Sequence, residues 1–339
     1  MERIRTVDAV GTVLCHDITE IVPGKFKGAA FKKGHVVRPE DVEVLLRLGK
    51  ENLFVWKCEE GWVHENEAAL RITQCVAGSG ITLTDPVEGK VNLVAAGAGL
   101  LKIQVEKLAE LNELEQIVVA TLHTDQLVSA GQVVAAARVI PLVIEETRLI
   151  QAAQVCAAHP LISVHSLRPL TAGIITTGNE VYCGRIEDGF GPVVVDKLKH
   201  LGCKVKEAVI LPDDSARIAA AIQAMVNRGT ELIIVTGGMS VDADDATPGA
   251  IAAAGAEIIT HGAPLFPGAM FLLAYLDHVP VVGLPGCAMY NKITVFDLVL
   301  PRLLAGERLT RRDLTRLGHG GLCLGCAECR FPACTFGKG

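Results

Sequence analysis

Three polar loops carry residue types that suit the binding of a phosphorylated ligand, and each loop follows a short apolar run. The loops are Thr177-Gly178-Asn179-Glu180, Asp213-Asp214, and Thr236-Gly237-Gly238-Met239-Ser240 with Asp242, Asp244 and Asp245 behind it. Glycines allow backbone N–H groups to turn towards an anion, and hydroxyl groups add further donors. Carboxylates beside a phosphate indicate Mg²⁺ or donor groups on the ligand, because bare like charges repel each other. The three loops together predict a site for a phosphorylated small molecule.

Each loop also has an ordinary explanation. Glycines at strand ends form turns, and Asp213-Asp214 followed by Ser215 could simply cap a helix. What favours a site is that all three loops stand at equivalent positions after successive strands. A phosphate-binding P-loop is excluded, because the chain contains no Gly-x-x-x-x-Gly-Lys-Ser/Thr motif.

The elements that must position these loops alternate between strand and helix from about residue 161. Apolar runs at 172–176, 204–211, 232–235 and 279–284 predict strands, and helical periodicity appears at 193–201 and 288–304. Ser215 is predicted to cap one helix, and Thr247-Pro248 to begin another. Such alternation predicts an open, mostly parallel sheet. Ligands of these sheets bind beyond the carboxyl ends of the strands, where the three loops are expected.

The pattern of residue types changes three times along the sequence, which predicts that the chain has four parts. Residues 1–80 mix strands and helices, and residues 81–160 contain short apolar runs punctuated by glycine, typical of a β-rich barrel or sandwich. Residues 161–307 form the alternating α/β domain. Residues 308–339 form a cysteine-rich tail with a basic beginning. The predicted fold class is therefore α/β, preceded by a β-rich N-terminal region.

Four cysteines stand in the tail with gaps of two, two and four residues, namely Cys323, Cys326, Cys329 and Cys334. Bacterial ferredoxins space their cysteines by about two, two and three residues. Structural zinc sites more often use two cysteine pairs about a dozen residues apart. The tail is predicted to bind metal, with a [4Fe–4S] cluster favoured over zinc. The alternative is a disordered tail with reduced thiols.

Composition excludes several classes of protein. A net charge of -6 argues against a nucleic-acid binder, and no apolar run is long enough to predict a membrane span. The charged start shows no signal-peptide pattern. Seven of the 11 cysteines are scattered, as in a reduced protein rather than a disulfide scaffold. We expect a cytoplasmic protein.

The ordered set of loops, completed by Leu284-Pro285-Gly286, resembles the molybdopterin-binding domain of the MoeA and MogA superfamily, over about residues 168–305. That superfamily contains molybdopterin molybdotransferases and molybdopterin adenylyltransferases. The segment Val7-Asp8-Ala9-Val10-Gly11-Thr12-Val13-Leu14 is also similar to the opening of the molybdotransferases. The resemblance implies a three-layer α/β/α fold and a role in making or handling molybdenum cofactor.

The resemblance also implies roles for residues. Glu180, Asp214 and Asp245 would take the catalytic, Mg²⁺- or ligand-contacting roles. The pterin phosphate or adenylate would lie at the loops, with these cofactor-binding residues: Thr177, Gly178, Asn179, Thr236, Gly237, Gly238, Ser240, Pro285 and Gly286. A homo-oligomer and a molybdoenzyme client are further implications.

Two departures from the superfamily bear on the activity. The Ser-x-Met-Asp-Gly-Tyr-Ala segment of molybdotransferases is absent, and their Pro-Gly-Asn-Pro reads Pro285-Gly286-Cys287-Ala288 here. A Mg²⁺-dependent transferase that inserts molybdate into molybdopterin or adenylates it therefore competes with a non-catalytic carrier or sensor of finished cofactor. A nucleotide pyrophosphatase of the competence-damage type ranks lower. That family has Gly-Gly-Leu-Gly-Pro-Thr at the place of residues 237–242 of this chain, whose sequence differs.

Overall fold

The computed structural model describes residues 2–22, 26–55, 61–240, 242 and 245–338. Asp244 of the predicted acidic loop and Cys58 lie outside the described residues. The chain divides into two compact units. Unit 1 comprises Met1–Leu122 and Val128–Val164, and unit 2 comprises His123–Leu127 and His165–Gly339.

Unit 1 is rich in short strands. Up to residue 165 the elements are β1 (Glu2–Arg5), β2 (Ile18–Val22), β3 (Phe26–Phe31), α1 (Pro39–Arg47), β4 (Asn52–Val55), β5 (Trp62–His64), α2 (Glu65–Val76), β6 (Ile81–Leu83), β7 (Lys90–Ala95), β8 (Gly99–Ile103), α3 (Val105–Asn112), β9 (Ile117–Thr121), β10 (Gln126–Val128), β11 (Val133–Val139), β12 (Val143–Glu145), α4 (Glu146–Cys156) and β13 (Ile162–His165). An antiparallel sheet in the order β6-β7-β11-β9 is the largest in this unit. Its core joins Ile72 of α2 and Leu149 of α4 to Leu93 and Ala137 of the sheet. The β-rich N-terminal region predicted from sequence is thus confirmed, and residues 61–76 share one core with the strands that follow.

Unit 2 alternates strands and helices as predicted. Its elements are β14 (Thr171–Thr177), α5 (Asn179–Tyr182), α6 (Phe190–His200), β15 (Lys204–Leu211), α7 (Ser215–Asn227), β16 (Leu232–Thr236), α8 (Thr247–Ala253), β17 (Glu257–His261), β18 (Leu272–Leu276), β19 (Val279–Leu284), α9 (Cys287–Tyr290), α10 (Val295–Leu304) and α11 (Arg311–Thr315). The sheet has six strands in the order β15-β14-β16-β19-β18-β17. The first four are parallel to one another, and β18 is antiparallel to both of its neighbours.

Helices cover both faces of this sheet because the central strands are apolar on both sides. Ile174 and Ile234 point into a core shared with α6 and α10. Ile175 and Val235, one residue further along, point into a second core shared with α7 and α8. Successive side chains of a strand face opposite sides, so a fully buried strand must be apolar throughout. The three-layer α/β/α fold with a mostly parallel sheet is confirmed.

Three helix boundaries differ from the sequence prediction for local reasons. Helix α6 begins earlier than residue 193, since the Asp188 carboxylate accepts the Phe190 amide proton at 2.9 Å. Asp214, rather than the predicted Ser215, is the N-cap of α7. The helix predicted over 288–304 is two helices, because Thr294 caps α10 by accepting the Phe296 amide proton at 3.3 Å.

The C-terminal segment packs onto unit 2 without forming a strand of the sheet. Leu309, Leu314 and Phe336 are buried in the same core as α6 and α10. Leu322 forms an isolated bridge with Phe266. Among the helices that the structure describes, none combines the length and the apolarity needed to cross a bilayer.

Glu231 fixes the first residue of strand β14, and this arrangement predicts how the stability of unit 2 changes in acid. Its Oε2 accepts hydrogen bonds from both the amide and the hydroxyl of Thr171 at 2.9 Å, and its Oε1 accepts one from Arg168 at 2.7 Å. The Thr171 amide, aided by Arg168, holds the pKa of Glu231 below its usual range. A lowered folded-state pKa stabilises the fold above the ordinary pKa of about 4.3, and the stabilisation is lost as the pH falls.

We therefore expect Glu231→Gln to lower the stability of unit 2 at pH 7. On acidification, the variant should lose less stability than the parent protein does. Amide hydrogen exchange of β14 at pH 7 and near pH 4 measures both effects. Glu257→Gln, at a surface pair with Arg308, is the control and should leave the pH dependence unchanged. Equal acid sensitivity of parent and Glu231→Gln would contradict the assignment.

Candidate functional site

Four loops meet at one edge of the unit 2 sheet. Strand register places Thr176 beside Ile210 of β15 and beside Thr236 of β16, and Thr236 beside Leu284 of β19. The four parallel strands therefore end together, and the loops that follow them begin at 178, 212, 237 and 285. The structure brings the three predicted loops and Pro285-Gly286 to the same edge.

The second loop is a helix cap on one side and a link to the first loop on the other. Asp214 Oδ1 accepts the amide protons of Ala216 and Arg217 at 2.9 and 3.1 Å. Asp213 Oδ2 accepts the Asn179 amide proton at 2.9 Å, which ties the two loops together. The capping role considered from sequence is thus real for Asp214. Both capping hydrogen bonds are accepted by the same oxygen of Asp214, Oδ1.

The diglycine turn passes so close to β14 that only glycine fits. Gly237 has φ +87°, and a Cβ there would lie 2.1 Å from the Thr177 carbonyl oxygen. Gly238 has φ +53°, and a Cβ there would lie 2.9 Å from the Thr247 hydroxyl. Left-handed backbone with no room for a side chain explains both glycines. The turn is held by the Thr247 hydroxyl, which donates to the Gly237 carbonyl at 2.9 Å.

Buried hydroxyls beneath the loops bond to one another. Thr236 Oγ1 donates to Thr176 Oγ1 at 3.4 Å, and Thr176 Oγ1 donates to Asp188 Oδ2 at 3.1 Å. Thr177 Oγ1 lies 3.3 Å from Thr247 Oγ1. Thr177 and Thr236 are fully buried, so their side chains set the shape of the loops from below.

Asp188 is the residue at this edge that the sequence reasoning missed. Its carboxylate joins the Thr176 hydroxyl to the first amides of α6, those of Phe190 and Gly191. A signal was present in the sequence, because an aspartate two residues before an apolar helical run is a typical capping pattern. Asp188 lies outside the loop motifs, so the motifs alone do not single it out.

The remaining predicted residues lie at the surface of the edge. Asn179, Glu180 and Ser240 are exposed, and Asp245 is half-buried. Asp245 Oδ2 accepts the Asp242 amide proton at 2.8 Å, which closes a turn in the third loop. Exposed donors and carboxylates in this position can meet a ligand that approaches the edge from solvent.

The fourth loop ends at a cysteine. Gly286 is exposed, and Cys287 is the half-buried first residue of α9. Burial raises the pKa of the Cys287 thiol, and nearby backbone hydrogen bonds only partly offset that effect. The thiol is therefore the stable form at neutral pH, as expected of a cysteine that packs at a helix start.

The four tail cysteines occupy another part of unit 2. Cys323, Cys326 and Cys329 are exposed free thiols and Cys334 is half-buried. All four line one cavity of about 530 Å³. Within the part of the chain that the structure describes, no three His, Cys, Asp or Glu side chains are gathered closely enough to hold a metal ion.

Unit 2 is an open α/β domain, and domains of this class bind their ligands beyond the carboxyl ends of the strands. Residues 173–305 match the family described as probable molybdopterin binding domain. This match lies within unit 2 and agrees with the resemblance that the loops indicate. Residues 3–57 match a second family, a domain of unknown function (DUF8806).

Two relatives show how much of the chain is shared. A molybdopterin molybdenumtransferase of Synechococcus elongatus is 29% identical over 155 residues, which are 43% of this chain and 38% of that protein. A CinA-like protein of Mycobacterium tuberculosis is 41% identical over 76 residues, which are 22% of this chain and 18% of that protein. The chain thus spans less than two fifths of the first relative and less than one fifth of the second.

Solved structures resemble part of the chain. The tungsten cofactor synthesizing protein MoaB of Pyrococcus furiosus covers 42% of this chain with 98% of its own, at 19% identity and a TM-score of 0.35. The molybdopterin biosynthesis enzyme MoaB of Thermus thermophilus covers 41% with 98% of its own, at 18% identity and a TM-score of 0.33.

Proposed function

We propose that unit 2 binds molybdopterin, or its adenylate, across the four loops at the carboxyl edge of its sheet. The observation that carries the proposal is the convergence of these loops inside the segment that matches the molybdopterin-binding family. The general role that follows is molybdenum cofactor biosynthesis or handling. A cytoplasmic location, a homo-oligomer and a molybdoenzyme client stay predictions.

The donor set fits a phosphorylated pterin. Amides of the diglycine turn and the exposed Ser240 hydroxyl are the predicted contacts of the phosphate. Gly178, Asn179, Pro285 and Gly286 would line the adjoining surface. Thr177 and Thr236 support the loops from beneath, since their hydroxyls bond internally.

Magnesium would enter together with the ligand. Mg²⁺ usually keeps several waters and is bound by one or two carboxylates plus the phosphates of the substrate. A preformed cage of three carboxylates is therefore unnecessary. Glu180, Asp214 and Asp245 are the predicted carboxylates, and the bonds of Asp214 and Asp245 described above each use one oxygen. The metal would neutralise phosphate charge during transfer.

The binding proposal is tested with Asp245→Asn in an anaerobic titration of the full chain with molybdopterin and Mg²⁺. An asparagine oxygen can still accept the Asp242 amide proton, so the turn should persist while the negative charge is lost. We expect affinity to fall at least tenfold, about 1.4 kcal/mol, and the Mg²⁺ dependence to weaken.

The matched control is Asp277→Asn. Asp277 lies between β18 and β19, at the opposite edge of the sheet, and has φ +55°, which asparagine tolerates well. This variant should bind as the parent does. Unchanged affinity of Asp245→Asn, or binding of nucleotides without binding of molybdopterin, would overturn the assignment.

A transferase changes the pterin chemically, whereas a non-catalytic carrier or sensor does not. The absent molybdotransferase segment and the thiol-lined cavity of the tail favour the carrier. Incubation of molybdopterin with molybdate, or with Mg²⁺ and ATP, distinguishes them. A carrier returns the pterin unchanged, whereas a transferase yields molybdenum-loaded or adenylated pterin.

A further inference from the structure

We propose that Cys323, Cys326, Cys329 and Cys334 ligate a [4Fe–4S] cluster in the C-terminal loop of unit 2. The first observation is shared location. All four thiols line one cavity of about 530 Å³, which residues 290–293 also line. All four are free thiols, and three of them are exposed. Exposed thiols oxidise readily, so a cluster of four is better explained by a ligand role than by packing.

The second observation is that the loop is fixed at both ends. At its beginning, the Cys323 amide donates to the Phe266 carbonyl at 2.8 Å. At its end, Phe336 is buried in the core, and the Gly337 amide donates to the Gly320 carbonyl at 3.0 Å. Gly320 passes so close to the returning chain that a Cβ there would lie 2.9 Å from the Thr335 carbonyl oxygen. The four thiols are therefore confined to one short loop whose ends abut.

The interior of the loop leaves backbone donors available. Over residues 324–329, all of which the structure describes, no amide donates to another backbone carbonyl. Hydrogen bonds to the sulfur atoms tune iron–sulfur clusters, and amides in a cysteine loop are suited to supply them. Gly325, with φ +62°, lets the chain turn between the first two cysteines.

Spacing favours iron over zinc. Three cysteines separated by two residues each can wrap one face of a cubane, whereas a tetrahedral zinc site usually draws on two separate pairs. The charged side chains that line the cavity are Lys292, Arg330 and Glu328, so two cations and one carboxylate would lie beside the negative charge of a cluster with four thiolates. When a preformed [4Fe–4S]²⁺ cluster is transferred, each thiol gives its proton to solvent, and its thiolate displaces one exogenous thiolate from one iron without electron transfer. Assembly from ferric iron and sulfide also consumes two electrons per cluster, which dithiothreitol supplies. The thiols must move inward to bind the cluster.

The test is anaerobic purification of the full chain, followed by incubation with ferric iron, sulfide and excess dithiothreitol. We expect a brown protein with broad visible absorption and close to four iron and four sulfide per chain. Cys326→Ser and Cys329→Ser should lose at least three quarters of the iron and the visible band. Both positions are exposed, so folding should persist, and circular dichroism checks this.

Cys183→Ser is the matched control, because Cys183 is also an exposed free thiol but does not line the cavity. It should keep the full iron content. The readouts do not involve molybdopterin, so they stand apart from the pterin proposal. A colourless protein with one zinc per chain, iron retained by Cys326→Ser, or no metal bound at all would each overturn the assignment.

Discussion

Replacing Gly237 with alanine is expected to destabilise unit 2 by about 2–3 kcal/mol and to abolish ligand binding at the proposed site. The added Cβ would lie 2.1 Å from the Thr177 carbonyl oxygen and 2.8 Å from its hydroxyl, both on strand β14. Backbone at φ +87° cannot relieve this contact without displacing the turn. The amides of the diglycine turn would then point elsewhere, and the proposed phosphate contacts would be lost.

Tryptophan fluorescence cannot report directly on unit 2, because both tryptophans, at positions 56 and 62, lie in unit 1. The measurement must therefore observe unit 2 itself. Amide hydrogen exchange of β16 and β19 gives the local free energy of opening. Gly249→Ala is the control. Gly249 lies in α8 with nothing within 4 Å of a built Cβ, so alanine there should be neutral or stabilise by up to about 1 kcal/mol. Equal protection in both variants would show that the turn is not constrained as described.

The fold of unit 2 could be predicted because its signals are local and repeated. Strand β16 is apolar throughout, from Leu232 to Val235, and such a strand must be buried on both faces. Strands β14 and β19 are buried in the same way, whereas the edge strand β15 alternates between exposed and half-buried residues. Because helices connect β14, β15 and β16, a parallel sheet is expected, and its carboxyl edge is where loops can gather. The position of the candidate site therefore followed from topology.

What the sequence did not reveal depends on contacts between distant residues. Asp188 joins α6 to a hydroxyl on β14, and nothing in its neighbourhood announces the Thr176 partner. The structure also assigns the α7 cap to Asp214 rather than to Ser215 next to it, because capping is decided by backbone direction and not by residue type alone. Phe336 reaches the core of unit 2 from a segment without any periodic pattern, so no local signal predicts this contact.

The roles of the individual site residues stay predictions. Residue type and loop position place Glu180, Ser240 and Asp245 at the same edge of the sheet, but they do not say which of them touches a ligand. Exposure separates these side chains from Thr177 and Thr236, which are buried beneath the loops. That distinction between supporting and contacting residues required the packed structure.

Arg302→Met is expected to cost about 3–5 kcal/mol, the largest loss of stability that we predict. Arg302 in α10 is 7% exposed. Its guanidinium donates to Glu307 at 2.8 and 2.9 Å and to Asp313 at 3.1 Å, and Asp125 lies 3.8 Å away. Burial alone would lower the pKa of this guanidinium, but the three carboxylates raise it overall. Removing the cation leaves three partly buried acids facing one another.

The same arrangement gives this prediction a pH dependence. Burial tends to raise the pKa of the Asp313 carboxyl, but hydrogen bonds from Thr310 and Arg302 hold it below its usual range. A lowered folded-state pKa contributes stability above about pH 4, and the contribution disappears as the pH falls. The deficit of Arg302→Met relative to the parent should therefore be largest at pH 7 and should shrink on acidification, because protonated acids no longer repel.

Hydrogen exchange of α10 at pH 7 and near pH 4 measures this difference, with exchange rates corrected for their intrinsic pH dependence. Arg311→Met is the control, since Arg311 is exposed on α11 and surface changes of this kind stay within about 0.5 kcal/mol. A deficit that is equal at both pH values would mean that Arg302 acts through packing of its aliphatic stem. A deficit below about 1 kcal/mol would mean that water already screens the cluster as it does a surface ion pair.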